Sequence, residues 1–198
     1  MNGRLTRLSL TPRIYVVDDF ASGDEVAHVL ARTADRAWLA ALGVTTRHDA
    51  TGVSFEMPIG GDPVLEGLAA RACDVIGVAN AFGSTMRFRR YAQGESHPPH
   101  LDCYTIEPHH LVVTALLYLT DTAEGGETIF PRALPAPIAV APQRGRLAAW
   151  FNYYPNGAPD PLAYHEARTV ASGEKATITN FIYNTLACAS TRVRAAGE

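Results

Sequence analysis

The sequence is short of cysteine and has neither a basic run nor a long apolar stretch. Its three cysteines, Cys73, Cys103 and Cys188, are odd in number and form no CxxC pair. That excludes a disulfide framework and fits thiols that simply pack in a reducing compartment. No window approaches the roughly 18 successive apolar residues of a membrane helix. The formal charge is −3 with no cluster of Lys or Arg, which speaks against nucleic acid or an anionic membrane surface as partner. The opening segment MNGRLTRLSLTPRIYVVDDF lacks both a continuous apolar core and a small-residue cleavage site, so no signal peptide is expected. Internal repeats and low-complexity linkers are missing as well. These absences lead to the expectation of a soluble, cytoplasmic protein.

What is present suits one ordinary domain. The chain has 198 residues, of which 47% are apolar and 19% charged, enough to bury a core without long disordered tails. IYVVDDF (14–20) reads as a first strand. Ser22 and Glu25 have capping-box spacing, and a helix is expected over about 23–41 with Val26, Val29, Leu30 and Ala37 on its buried face. Asp62-Pro63 reads as a second helix start, running to about residue 79. From residue 85 the pattern turns to β-type runs, namely MRFRRYA (86–92), LVVTALLYL (111–119), RLAAWF (146–151), HEARTV (165–170) and ATITNFIYN (176–184), separated by turn-rich segments. The expected fold is mainly β with flanking α-helices, a jelly roll (double-stranded β-helix) core at about 85–186 on a helical support at about 1–84, in one domain spanning 1–198.

The segment YAQGESHPPHLDCY (91–104) carries the chemistry. His100 and Asp102 are two apart, so on an extended strand they point to the same side and can face one ion. A third ligand must come from elsewhere, and His28, His48, His97, His109, His110 and His165 are candidates. Two histidines and a carboxylate on one face of an octahedron leave three positions open, the arrangement of non-haem Fe(II) oxygenases.

Four ordered pieces resemble the prolyl 4-hydroxylase-like group of Fe(II)/2-oxoglutarate dioxygenases: RRYAQGESHPPHLD, LLYLTDTAEGGETIFP, APQRGRLAAWF and DPLAYHEARTVASGEK. PRIYVVDDFASGDE near the start matches more loosely. The resemblance implies a metal and catalytic triad of His100, Asp102 and His165. It also implies Fe(II), 2-oxoglutarate and O2 as cofactor and cosubstrates, with ascorbate as an optional stimulant. Lys175, ten residues after His165, would pair the far carboxylate of 2-oxoglutarate, since a buried charge must be paired. Tyr91 and Thr128 would add hydroxyl donors to it. The aspartate at position 102 points to hydroxylation or another oxidation, because related halogenases have a small residue there. His97 is the nearest rival ligand and is expected in a loop, as are His109 and His110.

Two arginines depart from that pattern. If residues 86–91 form a strand with Tyr91 inward, Arg89 points inward too, where an apolar residue is expected, and an inward arginine wants an anion. Arg168 is the second unexpected charge. Either could anchor the carboxylate of a small, amino-acid-like substrate. The segment TTRHDATGVSFEMPIGGDP (45–63) reads as a loop covering the site, with Phe55 and Met57 as apolar contacts. The leading expectation is therefore hydroxylation of an unactivated C–H of a small carboxylate-bearing molecule, with release of succinate and CO2. The alternatives are a prolyl or other residue hydroxylase acting on a peptide or protein, and a non-catalytic metal-binding jelly roll.

Overall fold

The computed structural model describes residues 3–193. Two strands come first, β1 (Leu5–Leu10) and β2 (Arg13–Val17), then helices α1 (Gly23–Ala34) and α2 (Arg36–Ala41). A hairpin of β3 (Arg47–Asp49) and β4 (Gly52–Pro58) leads into α3 (Pro63–Ile76). The rest is β5 (Thr85–Tyr91), β6 (His97–His100), β7 (Thr105–Ile106), β8 (His109–Tyr118), β9 (Glu124–Gly125), β10 (Thr128–Phe130), β11 (Ile138–Val140), β12 (Leu147–Phe151), β13 (His165–Ala167), β14 (Val170–Ser172) and β15 (Lys175–Asn184). The strands form a major sheet in the order β1-β2-β12-β8-β15-β5-β4-β3 and a minor sheet in the order β11-β10-β13-β6. This is the expected mainly-β jelly roll with few helices.

The helices start where the sequence places them. Ser22 accepts from Glu25 N while the Glu25 carboxylate accepts from Ser22 N, closing the capping box of α1. Asp62 caps α3 by accepting from Val64 N and Leu65 N, and the same carboxylate accepts from His28 and Arg32 of α1. Gly77 ends α3 in the left-handed region, at φ 75°, which favours glycine. The helix expected over 23–41 is in fact two. Asp35 ends α1 and recaps the chain by accepting from Trp38 N, since a short acidic side chain competes for the backbone. After that break Ala37 is exposed and Leu39 is buried instead.

Alternation along the central strands separates two environments. Met86 and Phe88 of β5, Val113, Ala115 and Leu117 of β8, Leu147, Ala149 and Phe151 of β12, and Ala176 and Ile178 of β15 meet the helices in one continuous core. Between the sheets a second, smaller core gathers Ile14, Tyr118, Phe130 and Trp150. Beside it the inward side chains turn polar: Arg87, Arg89 and Tyr91 from β5, and Lys175, Thr177 and Thr179 from β15. That polar end is the pocket.

Two expectations about the covering segment fail. Residues 45–63 are not a lid but the β3–β4 hairpin, which extends the major sheet beside β5. Phe55 pairs with Phe88, their rings 4.9 Å apart, on the helix side of the sheet. Phe55 and Met57 therefore belong to the core and do not touch the pocket.

Candidate active site

The pocket opens between the sheets and encloses about 680 Å³, its open mouth included. β6 and β13 pair antiparallel with His165 directly opposite His100, so residues 65 apart in the chain become neighbours. His100, Asp102 and His165 each offer a ligand atom, and these atoms lie within 4.8 Å of one another.

The ring nitrogens are sorted by the backbone. His100 Nδ1 lies 2.9 Å from Pro98 O and His165 Nδ1 lies 2.9 Å from Ala163 O, so each Nδ1 donates and each Nε2 keeps its lone pair. The Nε2 atoms stand 3.5 and 3.6 Å from the two Asp102 oxygens. Those gaps are long for hydrogen bonds. They are close to the roughly 3.0–3.5 Å between neighbouring donors that each sit about 2.1 Å from one ion. Burial, together with His100 and Lys175 nearby, holds the His165 pKa down to about 4 against the pull of Asp102, so its imidazole is neutral as a ligand must be. The donor set and its spacing fit a divalent cation, and no fourth protein ligand joins them among the described residues.

Asp102 is 4% exposed and is oriented from behind. Thr114 Oγ1 donates to Asp102 Oδ2 at 2.8 Å, and Asn152 Nδ2 donates to Thr114 Oγ1 at 3.1 Å and to Leu111 O at 3.1 Å. All three side chains are buried. Because the Thr114 hydroxyl is committed, the carboxylate cannot turn freely, which is what an outer layer of partners does for a metal ligand.

At the far end, Lys175 is 1% exposed, and among the described residues no carboxylate stands within ion-pair distance of its ammonium. Its Nζ lies 5.2 Å from the Tyr91 ring centre and 5.6 Å from that of Tyr118. Desolvation pushes its pKa down from 10.5 to about 7, with Arg89 adding to the shift and Glu127 opposing it. Tyr91 is the direct cross-strand neighbour of Lys175, and burial raises its pKa to about 12. Tyr118 Oη lies 2.7 Å from Thr128 Oγ1 and 3.2 Å from Val140 O, so its one proton serves two acceptors and the Thr128 hydroxyl stands at the end of that pair. A buried cation with no carboxylate in ion-pair contact, set between the rings of Tyr91 and Tyr118, is a receptor for an anion. The far carboxylate of a dicarboxylate chelated at the triad fits it.

The pocket thus brings together His100, Asp102, His165, Lys175, Tyr91, Thr128 and Arg89. Arg168 is not among them: it follows β13, is exposed, and only its backbone N–H is used, donating to Glu127 O. His97 belongs to β6 rather than a loop, and its ring lies 4.4 Å from that of His100, tilted by 55°, at the pocket wall and outside the triad. His109 and His110 open strand β8, where His110 Nδ1 meets Thr105 Oγ1 and His109 packs on Phe82. Sequence reasoning missed Thr114, Tyr118, Trp150 and Asn152. Parity along LVVTALLYL would have put Thr114 and Tyr118 on one face, but the partnership of Asn152 with Thr114 needs the β8–β12 pairing.

Comparison with known proteins agrees with this geometry. The family model described as the 2OG-Fe(II) oxygenase superfamily matches residues 86–183, about half the chain and all of the pocket-bearing strands. A curated relative, probable prolyl 4-hydroxylase 7 of Arabidopsis thaliana, is 24% identical over 91% of this chain. The alignment spans 65% of that relative's length. The crystal structure of the viral collagen prolyl hydroxylase of Paramecium bursaria Chlorella virus-1, a 2OG complex, is similar at TM-score 0.67 and 20% identity, covering 87% of this chain and 96% of that one. A Trichoplax adhaerens prolyl hydroxylase, solved with a peptide fragment of the hypoxia inducible factor oxygen degradation domain, has TM-score 0.57 and 17% identity, covering 90% and 87%.

Proposed function

Because this chain belongs to the 2OG-Fe(II) oxygenase superfamily, we propose that it hydroxylates a prolyl or other residue of a peptide or protein. The observation that carries the reading is one pocket with a three-ligand metal cluster at one end and an unpaired buried lysine at the other. His100, Asp102 and His165 would hold Fe(II) as its three protein ligands. Lys175 takes the far carboxylate of 2-oxoglutarate, with a proton from Thr128 as a further bond. The bound metal, 2-oxoglutarate and O2 supply an oxidative decarboxylation to succinate and CO2 coupled to oxidation of an unactivated C–H. The chain's own part is to fix the ligands, neutralise the cosubstrate's second charge and keep water from the pocket floor.

The names of the relatives support a peptide over the small carboxylate-bearing molecule that the sequence reading put first. The open mouth, with Tyr104 more than half exposed at its edge, suits a side chain entering from an extended segment. A closed structural metal site would carry four protein ligands, which disfavours the non-catalytic reading. The test is succinate release with Fe(II), 2-oxoglutarate, and either proline-rich peptides or a panel of free amino acids. Turnover coupled to peptides is expected. Turnover coupled only to free amino acids, or none with either set, would overturn the proposal.

A further inference from the structure

The pocket wall carries three cations, and they are not equivalent. Arg87 is neutralised by Glu56 across the β4–β5 pair, with Nε to Oε1 at 2.6 Å. Lys175 is accounted for by the cosubstrate. Arg89 remains. Its cross-strand neighbour is Thr177, one same-face position from Lys175, so it stands about 7 Å nearer the mouth.

Arg89 is held in place with no carboxylate in ion-pair contact, Asp49 reaching it only through the Thr51 hydroxyl. Its NH1 donates to Thr51 Oγ1 at 2.7 Å and to Thr51 O at 3.2 Å, in the β3–β4 turn. Asp49 in the same turn is tied locally, accepting from Thr51 N at 2.8 Å and from Thr51 Oγ1 at 2.6 Å. Among the described residues no carboxylate forms an ion pair with Arg89. A guanidinium has five N–H donors in a fixed fork; Thr51 and the Tyr91 hydroxyl engage part of it, and its field is felt by Lys175 within the pocket and by the exposed Asp49 outside it. Two cations without a direct ion-pair partner at different depths suit two anions, and 2-oxoglutarate brings only one to the far end.

We propose that Arg89 receives a carboxylate of the substrate. On the peptide reading, on which this rests, the preferred substrate carries an aspartate, a glutamate or a free C-terminal carboxylate within a few residues of the oxidised position. The same chemistry serves a free amino acid, so the experiment separates these sources. An apolar residue, expected at this position from the family pattern, gives no such selection.

The experiment uses the Fe(II)-loaded protein and capped proline-rich peptides with Glu, Gln or Lys at each position within three residues of the central proline. The same peptides with a free C-terminus and a panel of free amino acids complete the set. Wild type is compared with Arg89→Leu, Arg89→Lys and Arg89→Glu, each checked by thermal unfolding, and substrate KM is measured apart from the 2-oxoglutarate dissociation constant of the Co(II)-loaded protein. One acidic position, or the free terminus, should lower KM about tenfold to a hundredfold. Arg89→Leu should erase that preference, Arg89→Lys keep most of it, and Arg89→Glu transfer it to the Lys peptide. Turnover of free amino acids alone, with a KM raised by Arg89→Leu, would support the carboxylate assignment while removing the peptide reading. Equal use of acidic and neutral peptides, survival of the preference in Arg89→Leu, or no binding of any acidic probe would overturn the inference. So would a loss in Arg89→Leu that falls mainly on 2-oxoglutarate binding.

Discussion

Replacing Lys175 by methionine should make the protein more stable and less able to bind its cosubstrate. Methionine has a similar reach and no charge, so it can fill the site between Tyr91 and Tyr118. Burial lowers the Lys175 pKa from 10.5 to about 7. Below pH 7 the folded and unfolded chains both hold the proton, and the full cost of the buried charge, on the order of a few kcal/mol, weighs on the fold. Between pH 7 and 10.5 the folded chain has released a proton that the unfolded chain keeps, so wild-type stability rises with pH in that window. Without 2-oxoglutarate, Lys175→Met should therefore raise Tm by about 5–10 °C at pH 6 and by less at pH 9. Binding should move the other way, roughly a hundredfold weaker or more, because the far carboxylate loses the cation at the pocket floor. Differential scanning calorimetry at both pH values and 2-oxoglutarate titration of the Co(II)-loaded protein read the two effects. A lower Tm for the variant at pH 6, or 2-oxoglutarate binding within a few-fold of wild type, would refute the reasoning.

Thr114→Val keeps the volume but removes the donor to Asp102 Oδ2. Metal affinity should fall about ten- to a hundredfold and recover in Thr114→Ser, as measured by Co(II) titration; unchanged affinity would show that Asp102 needs no orienting partner. Tyr118→Phe removes the hydroxyl that donates to Thr128. The KM for 2-oxoglutarate should rise several-fold in the succinate assay while that for the peptide stays put, and a shift confined to the peptide would place Thr128 outside the cosubstrate site.

What could be read from the sequence was whatever depends on near neighbours along the chain. The i, i+2 spacing puts His100 and Asp102 on one side of the chain, and the inward direction of Arg89 follows from its parity with Tyr91. The long β-type runs and both helix starts lie close to their expected places. What was lost depends on pairing or on local competition. The turn-formers at 49–52 looked like an open loop because β3, the first strand of the hairpin, is only three residues long and wholly exposed. With the strand unseen, the parity that sends Phe55 to the helix side could not be applied. The strand LTRLSL before the first expected one has only weak alternation, with Ser9 as its one buried residue. The broken helix at Asp35 turned on a single side chain able to end one helix and cap the next.

The division of labour between the two faces of the major sheet explains how so polar a pocket is tolerated. Lys175, Thr177 and Thr179 are all buried, yet none adds apolar contact between the sheets. Removing such groups from water costs free energy unless each finds a partner. The intervening residues Ala176 and Ile178, with Phe88, Val113 and Phe151 on neighbouring strands, pack against α1 and α3 in the larger core. Burial of about 25 cal/mol per Å² on that side carries the sheet. The helices are thus more than decoration on the jelly roll: by making one face of β5 and β15 self-sufficient, they free the other to be chosen for chemistry. Polar residues on that inner face should then tolerate exchange more readily than any residue packed under the helices, and Lys175→Met is the sharpest case, a site that gains stability when its function is removed.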